Sequence, residues 1–170
     1  MKDLQLVTIF LIGSTSIICQ NPIGFDAECE KYISGTVPLA YSKELYRVID
    51  SPNLTILDAR EENEYDVSHL PNAHYIGFDN FDGKSLYFVP KTETIYIYCS
   101  IGYRSEKIGE KLQKIGFQNV FNLYGGVFNW VNLGYKVVDK NNEVTKYVHG
   151  FNKEWSKLLN EKRCFINLEE

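Results

Sequence analysis

Residues 95–105 read Ile95-Tyr96-Ile97-Tyr98-Cys99-Ser100-Ile101-Gly102-Tyr103-Arg104-Ser105, and their order decides the fold. The first four make a short apolar run of the kind buried in parallel sheets. A cysteine follows at the strand's end, then a loop with one glycine. From Ser105 to Ile115 the chain carries Ile108, Leu112 and Ile115 on one face and charges on the other, which predicts an amphipathic helix. Gly116 is placed to end it. Ligands of such sheets bind at the carboxyl ends of the strands, so Cys99 stands where chemistry is expected. Backbone N–H groups converge on the loop and the helix dipole is positive there; both favour the thiolate, which is the nucleophile.

Working outward, Leu54-Thr55-Ile56-Leu57 and Val120-Phe121-Asn122-Leu123 are further apolar runs. Leu57 leads into Asp58-Ala59-Arg60, a second polar set at a strand end. Ser42 reads as the N-cap of a helix bearing Leu45, Val48 and Ile49, which Ser51-Pro52-Asn53 stops. Strands alternating with helices predict an α/β fold with a mainly parallel sheet. The length of 170 residues suits one domain, and 44% hydrophobic with 24% charged residues suits a soluble globular chain. Eighteen Lys and Arg against twenty-two Asp and Glu give a net charge of −4, a poor basis for counterion release, so nucleic acid is not expected as a partner. Cys19, Cys29, Cys99 and Cys164 lack metal spacing, and His69, His74 and His149 form no His-rich box. No metal is expected.

The N-terminal stretch from Leu4 to Phe25 carries no charge. Gly13 to Ser16 dilute it below the ~20 apolar residues a membrane helix needs, so residues 1–18 read as an export signal. Ser16-Ile17-Ile18-Cys19 resembles a bacterial lipobox, which makes Cys19 a lipidation candidate and a membrane anchor possible; ordinary cleavage nearby is the alternative. The expectation is an exported protein, periplasmic or membrane-attached. Residues 19–35 read as a polar linker, 36–138 as the domain, and 139–170 as an extension packed on it, with a turn at 139–142, a short strand and a helix bearing Trp155, Leu158 and Leu159. Cys29 and Cys164 flank the domain and could bridge in an oxidising compartment if their Cα atoms come within reach.

Taken together, Leu57-Asp58-Ala59-Arg60, Glu64-Tyr65, His69-Leu70-Pro71-Asn72-Ala73, Cys99 to Ser105, Gly116 to Val120 and Tyr124-Gly125-Gly126-Val127-Phe128-Asn129-Trp130 resemble, in order and spacing, the signatures of the rhodanese-like domain, a sulfurtransferase family. The resemblance spans residues 36–138. It implies a three-layer α/β fold with helices on both faces of the sheet. Cys99 would be catalytic, with Ser100, Ile101, Gly102, Tyr103, Arg104 and Ser105 around the substrate and Asp58 and Arg60 in support. It implies transfer of a sulfane sulfur from thiosulfate or a persulfide, through a Cys99 persulfide, to a thiol or cyanide, without a cofactor. The partners would be small sulfur donors and thiol acceptors, or a protein persulfide.

Arg104 would add positive charge at the loop. Arg60 and Glu64 are expected to pair structurally, and Gly125-Gly126 to turn tightly beside the pocket. Ser100 stands where the family has Arg, which removes a cationic contact to an anionic substrate. Ser68 and Asn72 stand where glycine is usual; Asn tolerates the left-handed angles such a turn needs. Four residues separate Cys99 from Arg104, a tighter cradle than the five of related phosphatases, which ranks a phosphatase or arsenate reductase below sulfur transfer. A non-catalytic binding module is the other alternative, although such modules commonly lose the cysteine that this chain keeps.

Overall fold

The apolar runs pair as neighbours in one parallel sheet. The computed structural model describes residues 20–168; residues 1–18, read above as an export signal, and Cys19, the lipidation candidate, lie outside the described residues. The order is α1 (Phe25–Glu30), β1 (Leu39–Ala40), α2 (Ser42–Val48), β2 (Leu54–Asp58), α3 (Glu62–Val67), β3 (Ala73–Tyr75), β4 (Thr94–Tyr98), α4 (Tyr103–Lys114), β5 (Asn119–Leu123) and α5 (Gly126–Asn132). The short strands β6 (Val137–Val138), β7 (Val144–Thr145), β8 (Tyr147–His149) and β9 (Phe165–Asn167) follow. Among the described residues the main sheet has the order β1-β5-β4-β2-β3, with every neighbouring pair parallel. The central strand β4 therefore delivers Cys99 to the middle of the sheet's carboxyl edge.

Side chains alternate along the strands as the pleat requires. Leu57, Ile95 and Ile97 pack against Ile108 and Leu112 of α4 on one face. Ile56 and Tyr98 pack on the other with Phe25, Leu45, Phe128 and Trp130. Both faces are covered, so the fold is the expected three-layer α/β arrangement, and each fully buried Leu or Ile contributes ~1.5–3 kcal/mol.

Four local expectations are corrected. Ser42 is the first residue inside α2, fully buried, and accepts a bond from Asn129 Nδ2 at 3.1 Å. Tyr41 caps the helix instead: its extended backbone (φ −113°, ψ 148°) puts its N–H 3.0 Å from Glu44 Oε2. Helix α4 starts two residues earlier than predicted, because Gly102 at φ +118° lets the chain turn at once into the helix.

The expected linker is docked structure instead, tied from Asn21, which bonds Asn129 and Asn132. Phe25 and Cys29 of α1 are buried in the core, and the buried Glu106 carboxylate accepts the backbone N–H groups of Ser34 (2.8 Å) and Thr36 (2.9 Å). In the extension, the expected helix is a single 3₁₀ turn, Trp155–Leu158, and β9 pairs in parallel with β8. The turn stops because buried Asn132, at the end of α5, binds both sides of the following bend: Nδ2 donates to Leu158 O (2.9 Å) and Oδ1 accepts Asn160 N–H (2.8 Å).

Cys29 and Cys164 are free, buried thiols, so the bridge that the sequence leaves open is not formed. Burial pushes the Cys29 thiol up to about 12 and Cys164 up to about 11.

Candidate active site

Cys99 begins a loop held from three sides. Gly102 N–H donates to Cys99 Sγ at 3.1 Å, and α4 starts at the next residue. Behind the loop, the first turn of α5 binds its carbonyls: Val127 N–H donates to Cys99 O (2.9 Å) and Phe128 N–H to Ser100 O (3.2 Å). This approach needs glycine. Gly126 sits at φ +50°, and a Cβ there would lie 2.1 Å from Cys99 O and 2.7 Å from Ser100 O. The expected Gly125-Gly126 turn thus carries the floor of the loop. From the side, Asn122 of β5 donates from Nδ2 to Gly102 O (2.9 Å) and accepts from Ser105 Oγ (2.7 Å).

Two ion pairs, one fully and one partly buried, replace the expected Arg60–Glu64 pair. Arg60 forks onto its near neighbour Asp58 (Nε–Oδ1 3.0 Å, Nη2–Oδ2 2.6 Å) and donates to Ser68 O at 2.6 Å. Tyr98 OH donates to the same carboxylate at 2.5 Å and accepts Leu70 N–H at 3.0 Å. Asp58, Arg60 and Tyr98 are all 0% exposed, so this cluster ties β2, β4 and the turn at 68–70 beneath the loop. Glu64 instead meets Arg104 across 40 residues of sequence, Nη1–Oε2 2.5 Å and Nη2–Oε1 2.8 Å, and Arg104 Nη2 also donates to Ser100 Oγ at 3.0 Å. The physical reason is direction: α3 aims Glu64 at Arg104 of α4, whereas Arg60, two residues after Asp58, folds back onto its own strand end and the Ser68 carbonyl.

Burial alone would raise the Glu64 carboxyl, but the Arg104 fork more than offsets it, and its pKa lies below the ordinary glutamate value. A carboxyl depressed on folding stabilises the fold above its unfolded pKa, and that contribution disappears as the pH falls through the folded value. Glu64→Gln should therefore lower stability at neutral pH by about 1–3 kcal/mol, with the deficit shrinking in acid, where the wild-type carboxyl is protonated too. Urea midpoints at several pH values check this; a deficit that stays constant into acid would contradict it.

The loop faces a cavity of about 550 Å³. Of the residues the sequence singled out, Cys99, Ser100, Ile101, Tyr103 and Arg104 line it. Gly102 contributes its N–H to the sulfur. Ser105 does not reach the cavity: it is fully buried and its hydroxyl is turned to Asn122. Asp58 and Arg60 are not on the wall either; their bonds join the end of β2 to the turn at 68–70.

The remaining wall was not legible beforehand. Glu61, Phe78 and Asp79 come from neighbouring loops, Tyr32 from the segment read as a linker, and Phe151 and Trp155 from the extension. The ring of Phe151 covers the Arg104 guanidinium, with 5.0 Å from Cζ to the ring centroid. For Asn122 the signal was present, a polar residue inside an apolar strand. For Tyr32 and Phe151 no local pattern marks them.

The model of the rhodanese-like domain family matches residues 42–133. Among curated proteins, the tRNA uridine(34) hydroxylase of Aster yellows witches'-broom phytoplasma is 32% identical over 94 residues, covering 52% of this chain and 30% of that protein. YrkF of Bacillus subtilis, described as a sulfur carrier, is 33% identical over 84 residues, covering 49% of this chain and 45% of that protein. The match thus spans less than half of either relative's length. Among solved structures, a rhodanese-like domain protein of Staphylococcus aureus is 28% identical with a TM-score of 0.51, covering 64% of this chain and 98% of that one. Thiosulfate sulfurtransferase of Pseudomonas aeruginosa, 18% identical with a TM-score of 0.59 over 71% of this chain and 24% of that one, shares the fold.

Proposed function

This chain belongs to the rhodanese-like domain family, and on that footing we propose that it is a sulfurtransferase that carries a sulfane sulfur on Cys99. The observation that supports this most is the Gly102 N–H, 3.1 Å from a cysteine sulfur on the wall of a cavity at the carboxyl edge of the sheet. In the first half-reaction the Cys99 thiolate attacks the outer sulfur of the donor. A bond forms between Sγ and that sulfur, the donor's S–S bond breaks, and the remaining fragment leaves with the electron pair, as a thiolate or, from thiosulfate, as sulfite. In the second, a thiol or cyanide attacks the outer sulfur of the persulfide and Sγ leaves as thiolate. No electrons are gained or lost overall, so the chemistry needs no redox cofactor.

The negative charge of the persulfide is met by the loop N–H groups and the first turn of α4, fixed in place before reaction. Arg104 contributes less than the sequence suggests. Its guanidinium is forked by Glu64 and covered by Phe151, so it holds the loop's shape through Ser100 rather than offering a free cation to a dianionic donor. A thiol-borne persulfide is therefore the better donor and thiosulfate the poorer one.

Steady-state turnover with an alkyl persulfide and with thiosulfate tests the reading; no transfer from either donor would overturn it. Ser100→Arg adds a charge at the cavity wall and should lower the thiosulfate KM roughly five- to tenfold, about 1–1.4 kcal/mol. An unchanged KM would mean that the missing cation does not limit thiosulfate use.

A further inference from the structure

We propose that the acceptor which discharges the Cys99 persulfide is a small organic thiol whose aromatic or alkyl body carries no negatively charged group besides the reacting sulfur; this rests on the sulfurtransferase reading of the same site. The cavity, about 550 Å³, falls in the range of pockets that enclose organic ligands and far exceeds what cyanide fills. Its wall is aromatic. Tyr32 meets Trp155 edge-on (centroids 5.0 Å apart, 64°) and Tyr103 edge-on (6.5 Å, 80°), an interlocked geometry that favours apolar and aromatic guests. Tyr32, Phe151 and Trp155 all lie outside residues 42–133, which the family model matches.

The flanking segments are fixed rather than draped. Glu106 holds Ser34 and Thr36 on one side of the site, and Asn132 holds Leu158 and Asn160 on the other. Phe151 is held in the left-handed region, φ +65°, a conformation that costs a bulky residue of order 1–3 kcal/mol and clusters at ligand sites. Its backbone N–H donates to His149 Nδ1 at 3.1 Å, and the strained turn delivers its ring onto Arg104.

Charge selects against anions. Among the described residues Arg104 is the one cation on the wall, and its charge is matched by the Glu64 carboxylate. Glu61 and Asp79 add carboxylates to the same wall. An acidic thiol entering would give up hydration and meet like charge. In the step itself the acceptor, ionised by loss of its proton to solvent, attacks the outer sulfur. The new S–S bond forms, the Sγ–S bond breaks, its electron pair returns to Sγ, and the acceptor leaves as a persulfide.

The test is single-turnover discharge of persulfide-loaded protein, followed by intact mass. Benzyl mercaptan and 4-(mercaptomethyl)benzoate present the same thiol on the same ring and differ in a remote carboxylate. The neutral thiol should discharge Cys99 at least about tenfold faster at equal subsaturating concentration, the scale of an unfavourable charge contact. Trp155→Ala, loaded to the same one-sulfur state, should slow discharge by both thiols, which share the ring that the aromatic wall receives. Equal rates for the two thiols on the wild-type protein, or a faster carboxylate, would overturn the inference while cyanide discharge leaves the sulfurtransferase reading standing. Failure of Cys99 to load from any donor would remove both.

Discussion

Replacing Cys99 by serine should abolish sulfur transfer, a loss on the order of 10³-fold or more, while the fold persists. The substitution exchanges one atom. Serine fits the same volume, and its oxygen can still accept the Gly102 N–H that Sγ accepts at 3.1 Å, so unfolding midpoints should move by less than about 1 kcal/mol. What disappears is the nucleophile that stores sulfur between the two half-reactions. Loss of turnover with an unchanged circular dichroism spectrum is the expected outcome. Retained turnover in a folded Cys99→Ser protein would mean that the site works by another route.

Gly126→Ala should damage stability and activity together. Alanine tolerates φ +50° at a cost of ~1–2 kcal/mol, but its Cβ would stand 2.1 Å from Cys99 O and 2.7 Å from Ser100 O, both backbone atoms that cannot rotate aside. Either α5 or the loop must move. We expect more than about 2 kcal/mol of destabilisation and at least ~10²-fold loss of turnover, the scale set by misplacing a reacting group by an ångström. Gly116→Ala is the matched control. Gly116 also has positive φ, +98°, yet nothing lies within 4 Å of a Cβ there, so only the backbone strain applies and activity should survive. Equal urea midpoints and equal turnover for the two variants would show that the close approach of α5 to the loop does not matter.

The contrast between these glycines shows what could be read from the chain and what could not. Strand, cysteine, glycine and helix follow one another within residues 94–114, and local order of that kind is written in apolar runs and turn residues. The Gly125-Gly126 pair was legible as a turn beside the site for the same reason. Ion pairing was not. Arg60 and Glu64 are close in sequence and look like partners, but the strand end ties Arg60 to Asp58, and α3 aims Glu64 at Arg104 across 40 residues. The aromatic wall was hidden for a related reason. Phe25 and Cys29 are four apart on a six-residue helix, too little periodicity to distinguish a docked segment from a linker, so Tyr32 went unread. Phe151 lies between Gly150 and Asn152 in a bend whose position depends on the pairing of β8 with β9, a contact between distant residues that no local pattern announces. Asn132 was not singled out in the sequence, although its side chain anchors the extension.

The central claim is that Cys99, among the thiols of the described fold, carries the sulfur, and weighing the protein tests it most directly. Cys29 and Cys164 serve as internal controls, since both are buried and burial holds their thiols at about 12 and about 11. Purified protein incubated with an alkyl persulfide, and separately with thiosulfate, is analysed intact and then as peptides. The account predicts a gain of about 32 Da, one sulfur atom, on the peptide containing Cys99, formed more completely from the persulfide than from thiosulfate and lost on adding a thiol acceptor. No increment from either donor, or an increment on Cys29 or Cys164 in place of Cys99, would contradict it.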